Sequence, residues 1–159
     1  MLPEELQNKL QNDIAAVDHP KELAVDVMFA LQEHYGYLSD EAVETAAGLL
    51  GISPVEIEEL ATFYTFVYRE PVGKYVIHVC DSLLCMLDGS ETIEAHLKGK
   101  LGIQPGETTG DGLFTLLPVC CIGYCDRAPA MLINRKVYSP LTADSLDTII
   151  DRLKAERNL

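Results

Sequence analysis

The sequence has 159 residues, 48% of them hydrophobic, and a formal net charge of −13 at pH 7. That length suits one ordinary domain or a small domain with a helical extension, and the apolar content is enough for a packed core. The negative balance argues against nucleic acid and anionic lipid as partners. No apolar run reaches the length of a membrane span, so no direct membrane insertion is expected, and the start, "MLPEELQNKLQNDIAAV", lacks the basic residues and apolar stretch of a secretory signal.

Charge divides the chain. Residues 1–72 hold three basic and fourteen acidic residues, net −11, whereas residues 73–159 hold nine and eleven, net −2. Two regions with different surfaces are expected, the first presenting either an ordinary solvated helical face or an acidic docking surface.

Region 1–72 reads as a small antiparallel helical bundle. Residues 3–15 predict a short helix. In "KELAVDVMFALQEHYG", Leu23, Val27, Ala30, Leu31 and His34 recur at steps of three and four as one stripe, and Gly36 stops it. "LSDEAVETAAGLLG" follows, with Ser39 or Asp40 as N-cap and Gly51 as the stop. Ser53 with Glu56 forms a capping box, and Pro54 takes the first helical position of a helix expected through "VEIEELATFYTFVY". Phe63, Tyr64 and Phe66 on that helix read as a core stripe, with a partner face as the alternative.

Region 73–159 changes period. "KYVIHVC" predicts a buried strand, "GSETIEAHLKGKLG" a helix stopped at Gly102, and "GDGLFTLLPVC" a second strand opened by a glycine turn. "AMLINRKVYS" predicts a hairpin turning near Asn134, and "TADSLDTIIDRLKAE" a closing helix capped by Thr142, with Leu146, Ile149, Ile150 and Leu153 inward. Strand, helix, strand, hairpin and helix in that order fit a small four-stranded α/β sandwich.

The five cysteines, Cys80, Cys85, Cys120, Cys121 and Cys125, all lie in this second region. An odd, clustered set without a signal peptide points to metal binding or redox chemistry in a reducing compartment rather than to a disulfide scaffold. Parallel neighbouring strands would bring the loops after Cys80 and after the second strand to the same sheet edge, where ligands of such sheets tend to bind. Four thiolates there make a soft-donor site. Zinc accepts four thiolates but usually from closer-spaced pairs. A redox disulfide needs only two cysteines. A two-iron cluster suits the longer loops and is favoured by spacing. Buried structural thiols are the bland alternative. Spacing leaves open whether Cys120 or Cys121 pairs with Cys125, since Cys120 with Cys125 repeats the gap of Cys80 with Cys85. Adjacent strand residues point to opposite faces, so both cannot enter one site if the strand stays regular.

"CDSLLC", then 35 residues, then "CIGYCDRAP", together with "ATFYTFV", "EPVGKYVIHVCD" and "GETTGDGLFTLLPVCC", resembles the thioredoxin-like [2Fe–2S] ferredoxin subunits of NADH–quinone oxidoreductase (respiratory complex I) and the related subunits of NAD-linked hydrogenases and formate dehydrogenases. The resemblance covers nearly the whole chain. It implies a thioredoxin-like fold for residues 73–159, a [2Fe–2S] cluster held by Cys80, Cys85, Cys121 and Cys125, and Cys120 as a spare core thiol. It further implies a flavoprotein partner that carries FMN and NADH, an acidic helical region that docks on that partner, and a place on the cytoplasmic peripheral arm of a membrane complex. Further iron–sulfur subunits would complete the assembly. The different-class alternatives are a zinc-stabilised thioredoxin-like interaction module and a dithiol–disulfide oxidoreductase using Cys121 and Cys125.

The remaining residues add less. Arg127 and the N–H groups of Gly89, Gly123 and Tyr124 would offset the negative charge of such a cluster. A plain loop salt bridge of Arg127 with Asp126 is an equal reading. The Ala128–Pro129 bond is a candidate cis peptide by analogy with thioredoxin-like folds, against the general preference for trans. His19, His34, His78 and His96 show no metal-like pairing, and no glycine-rich phosphate loop is present.

Overall fold

The computed structural model describes residues 2–156. The chain divides into two compact units, with the break between Pro71 and Val72.

The first unit is helical: α1 (Glu4–Ala15), a 3-10 turn (Pro20–Leu23), α2 (Ala24–Tyr35), α3 (Asp40–Leu50) and α4 (Pro54–Phe63). Its starts follow the capping chemistry. Ser39 Oγ accepts from the Ala42 amide, and Ser53 and Glu56 complete a reciprocal capping box ahead of Pro54. Gly36 and Gly51 take left-handed conformations that end α2 and α3. The core is built on Val27, Met28 and Leu31 of α2, on Ala42, Ala46 and Ala47 of α3, and on Ile57 of α4. Small alanines on α3 let its neighbours approach closely. Arg69 ties down the segment after α4: its Nε donates to both Glu58 carboxylate oxygens at 3.0 and 2.9 Å, and its Nη2 donates to Asp40 at 2.7 Å.

Three expectations for this unit need correction. α4 stops at Phe63, not at Tyr68, because Tyr64 already has an extended backbone. Phe63 and Tyr64 are 78% and 37% exposed and Phe66 is only half-buried, so these aromatics are not a core stripe. His34 is also exposed, and Met28 completes the apolar face of α2 in its place.

The second unit is a mixed α/β layer structure. A four-stranded sheet has the order β2-β1-β3-β4, from β1 (Tyr75–Cys80), β2 (Phe114–Val119), β3 (Met131–Ile133) and β4 (Lys136–Tyr138). β1 and β2 are parallel and in register from Tyr75 opposite Phe114 to Cys80 opposite Val119. β3 runs antiparallel to β1, and β4 antiparallel to β3. The helices are α5 (Leu83–Leu87), α6 (Ser90–Leu101) and α7 (Ala143–Glu156). Ile93 and Leu97 of α6 and Leu146, Ile150 and Leu153 of α7 join Ile77, Val79, Phe114, Leu116 and Met131 of the sheet in one core. The five-residue α5 has no counterpart among the elements expected from the sequence.

Thr142 caps α7, accepting from the Ser145 amide at 3.2 Å while Ser145 Oγ accepts from the Thr142 amide at 2.9 Å. Asp147 of α7 meets His96 and Lys100 of α6, each at 2.9 Å. His78 is fully buried in β1, and burial pulls its imidazole down to about 4, so it sits neutral in the fold. Among the described residues no helix is long and apolar enough to cross a membrane.

Candidate metal centre

Because β1 and β2 are parallel neighbours in register, their C-terminal ends emerge together. Cys80 closes β1 opposite Val119, and the Asp81 amide donates to the Val119 carbonyl at 3.0 Å, which stitches the two departing chains. The β1 chain turns at once into α5, whose third residue is Cys85. The β2 chain leaves the sheet and runs through Cys121 to a 3-10 turn that begins at Cys125. The sheet topology therefore delivers both cysteine loops to one edge.

The thiols lie as two neighbouring pairs. Cys80 and Cys85 are buried, 1% and 2% exposed, in a small cluster with Ala130 against Ile122 and Ala128. Cys121 is exposed and Cys125 half-buried, with their sulfurs 3.3 Å apart. The Gly123 amide, in a left-handed turn, donates to Cys121 Sγ at 3.4 Å. Among the described residues no three His, Cys, Asp or Glu side chains are grouped as a single ion would need.

The electrostatics differ between the pairs. Burial, then the neighbouring Cys80, pushes the Cys85 thiol up to about 11. The Gly123 amide, then Cys125, draws the Cys121 thiol below its ordinary value, with the Ser82 hydroxyl adding to this. Cys125, facing Cys121, moves up. A thiol must lose its proton before it can ligate a metal, and the shifts place that loss more readily on Cys121 than on Cys85 or Cys125. Ser82 occupies the N-cap of α5 without capping it.

Several sequence expectations land differently. Cys120 is exposed, not a core thiol. β2 ends at Val119, before both adjacent cysteines, so strand alternation no longer sets their directions. Gly89 N–H is spent on the Met86 carbonyl at the end of α5 and does not face the cysteines. Two others land as read: Arg127 lies 3.7 Å from Asp126 on an exposed loop, and Ala128–Pro129 is cis. Ser139–Pro140, not singled out in the sequence, is also cis. α5 and the Tyr124 loop surround the site with exposed apolar side chains: Leu83, Leu84, Met86, Leu87 and Tyr124. Sequence reasoning missed this rim, although "SLLCML" carries it in plain view.

The model of the thioredoxin-like [2Fe–2S] ferredoxin family matches residues 10–154. The chain belongs to this family. Its fold is accordingly thioredoxin-like α/β. Its relatives include E subunits of NADH-quinone oxidoreductase. That of Escherichia coli (strain K12) is 37% identical over 145 residues, covering 91% of this chain and 87% of the relative. That of Buchnera aphidicola from Acyrthosiphon pisum is 38% identical over 92% of this chain and 91% of its own length. That of Pseudomonas aeruginosa is 34% identical over 95% and 91%. These relatives are named as subunits of an oxidoreductase. Among solved structures, the NAD+-reducing [NiFe]-hydrogenase in the air-oxidized state superposes with a TM-score of 0.71 at 30% identity over 82% of this chain, which spans 23% of that hydrogenase chain. Four soft donors in two neighbouring pairs are the donor set that a two-iron member of the family requires.

Proposed function

We propose that this chain is an electron-transfer subunit of an NADH–quinone oxidoreductase, with one [2Fe–2S] cluster held by Cys80, Cys85, Cys121 and Cys125. The observation that carries the reading is the meeting of two cysteine pairs at the C-terminal ends of adjacent parallel strands. When bound, the cluster supplies one-electron redox chemistry at a potential set by charge, hydrogen bonds and exposure. The chain's own residues do the rest. Cys80 and Cys85 anchor the group from the buried side. Gly123 N–H donates to the Cys121 sulfur and lowers the cost of its negative charge. The outer pair, exposed Cys121 and half-buried Cys125, gives a route for electrons to a docked partner. Leu83, Leu87 and Tyr124 around it exclude water once that partner is in place.

The partner in this reading is a flavoprotein subunit that holds FMN and NADH, alongside further iron–sulfur subunits on the cytoplasmic peripheral arm of a membrane complex. Residues 1–72, net −11, serve as its docking region, and residues 73–159 hold the cluster. Phe63 and Val55, 78% and 67% exposed on α4, add an apolar surface to that region. A second parent, an NAD+-reducing hydrogenase, is favoured by the structural likeness over 82% of the chain. Co-expression with the flavoprotein subunit of each candidate complex tests the assignment. A stable stoichiometric pair is expected with one of them, and a chain that remains alone beside every flavoprotein contradicts the reading.

A further inference from the structure

At the sheet end opposite the cysteines, β1 begins at Tyr75 and the β3–β4 hairpin turns at Asn134. β1 is six residues long, so roughly 16 Å of strand separates this end from Cys80. A cleft of about 570 Å3 opens here, lined among others by Tyr75, Arg135, Lys136, Tyr138, Arg152 and Glu156. Among the described lining residues three cations accompany one carboxylate, in a chain whose overall charge is −13. Glu156 is already engaged, accepting from the Tyr75 hydroxyl at 3.3 Å and lying 3.7 Å from Arg152. Arg152 also donates to the Tyr138 hydroxyl at 3.2 Å, and both residues line the cleft. Lys136 Nζ lies 5.2 Å from the centre of the Tyr138 ring. Among the described residues neither Arg135 nor Lys136 is in a salt bridge, in contrast to Lys98 and Lys100, which pair with Glu94 and with Asp147 and Asp151.

The hairpin that presents Arg135 and Lys136 is held from behind. Asn134, in a left-handed conformation with φ 53°, accepts from the Val76 amide at 2.9 Å and donates to the Lys74 carbonyl at 3.1 Å. Its side chain thus ties the tip of the turn to the start of β1. Among the described residues, Arg135 and Lys136 on this braced turn have no carboxylate partner, and Arg152 lines the same cleft.

We propose that this cleft binds a small phosphate-bearing anion. Charge screening decides the size of the ligand. At physiological salt, charges act over about 8 Å, so a metabolite inside the cleft feels Arg135, Lys136 and Arg152, whereas an acidic protein would also meet the rest of an acidic chain. The volume lies within the range of about 300–1,000 Å3 common for small-molecule sites. The site is independent of the electron-transfer reading and of the cysteines.

The test uses the full chain with its metal site loaded, titrated calorimetrically with pyrophosphate and, separately, with ADP. Saturable binding that weakens with added salt is expected, with amide NMR shifts centred on residues 134–138. Equal affinity for both probes identifies the phosphate as the recognised group, and preference for ADP identifies a nucleotide ligand; either supports the site. The double variant Arg135→Gln/Lys136→Gln, at two exposed positions, should lose at least about tenfold in affinity, since each removes a charge-assisted contact. Lys98→Gln should bind as the unaltered chain does. No saturation by either probe below about 10 mM, or equal affinity in the double variant with its fold verified by circular dichroism, overturns the proposal.

Discussion

Cys120 and Cys121 are neighbours of the same chemical type, and only their surroundings distinguish them. Cys121 receives the Gly123 amide and lies 3.3 Å from Cys125, whereas Cys120 is an exposed thiol at the point where the chain has just left β2. Replacing Cys125 by Ser should therefore abolish or strongly perturb the visible absorption and the electron paramagnetic resonance signal of the reduced protein. Cys120→Ser should leave both intact. Equal behaviour of the two variants would contradict the ligand assignment. At this scale the sequence was informative about residue type and spacing but silent about direction. The spacing alone allowed either cysteine to pair with Cys125, and the reading of Cys120 as a core thiol assumed a strand that continued one residue too far. The same limit applies to Phe63 and Tyr64: their helical spacing suggested burial, yet the chain turns extended at Tyr64 and leaves both in solvent.

Elements bounded by strong local chemistry were legible. α3, α4 and α7 begin where Ser39, Ser53 and Thr142 can satisfy free amides, and α6 ends at Gly102 in the left-handed conformation. The parallel pairing of β1 with β2, on which the whole site depends, followed from strand–helix–strand order alone. α5 was not legible, because Leu83–Leu87 is too short for a periodic stripe and most of its apolar side chains face solvent. Tertiary charge pairs between elements were equally invisible in sequence. His96, the stronger influence, and Lys100 hold the Asp147 carboxyl below its ordinary value of 3.8 and link α6 to α7. A depressed carboxylate stabilises the fold above its unfolded value and loses that contribution as the pH falls through the lower folded value. Asp147→Asn should therefore melt at a lower temperature than the unaltered chain at pH 7. The gap between the two should close as the pH is taken below about 4. A gap that widens toward acid would show that the pair does not act as described.

For the molecule as a whole, two units with unlike surfaces share one chain. The first concentrates negative charge on a helical bundle, and the second supplies a sheet edge with two neighbouring thiol pairs and an apolar rim. Membership of the thioredoxin-like [2Fe–2S] ferredoxin family accounts for the thioredoxin-like sheet. The central claim is that these thiols hold two irons, not one zinc and not a disulfide. The most direct measurement is iron, zinc and acid-labile sulfide analysis of the anaerobically purified full chain, read beside its visible spectrum. A brown protein with two iron and two sulfide per chain is the predicted result. A colourless protein carrying one zinc, or no metal and a Cys121–Cys125 disulfide, would contradict it.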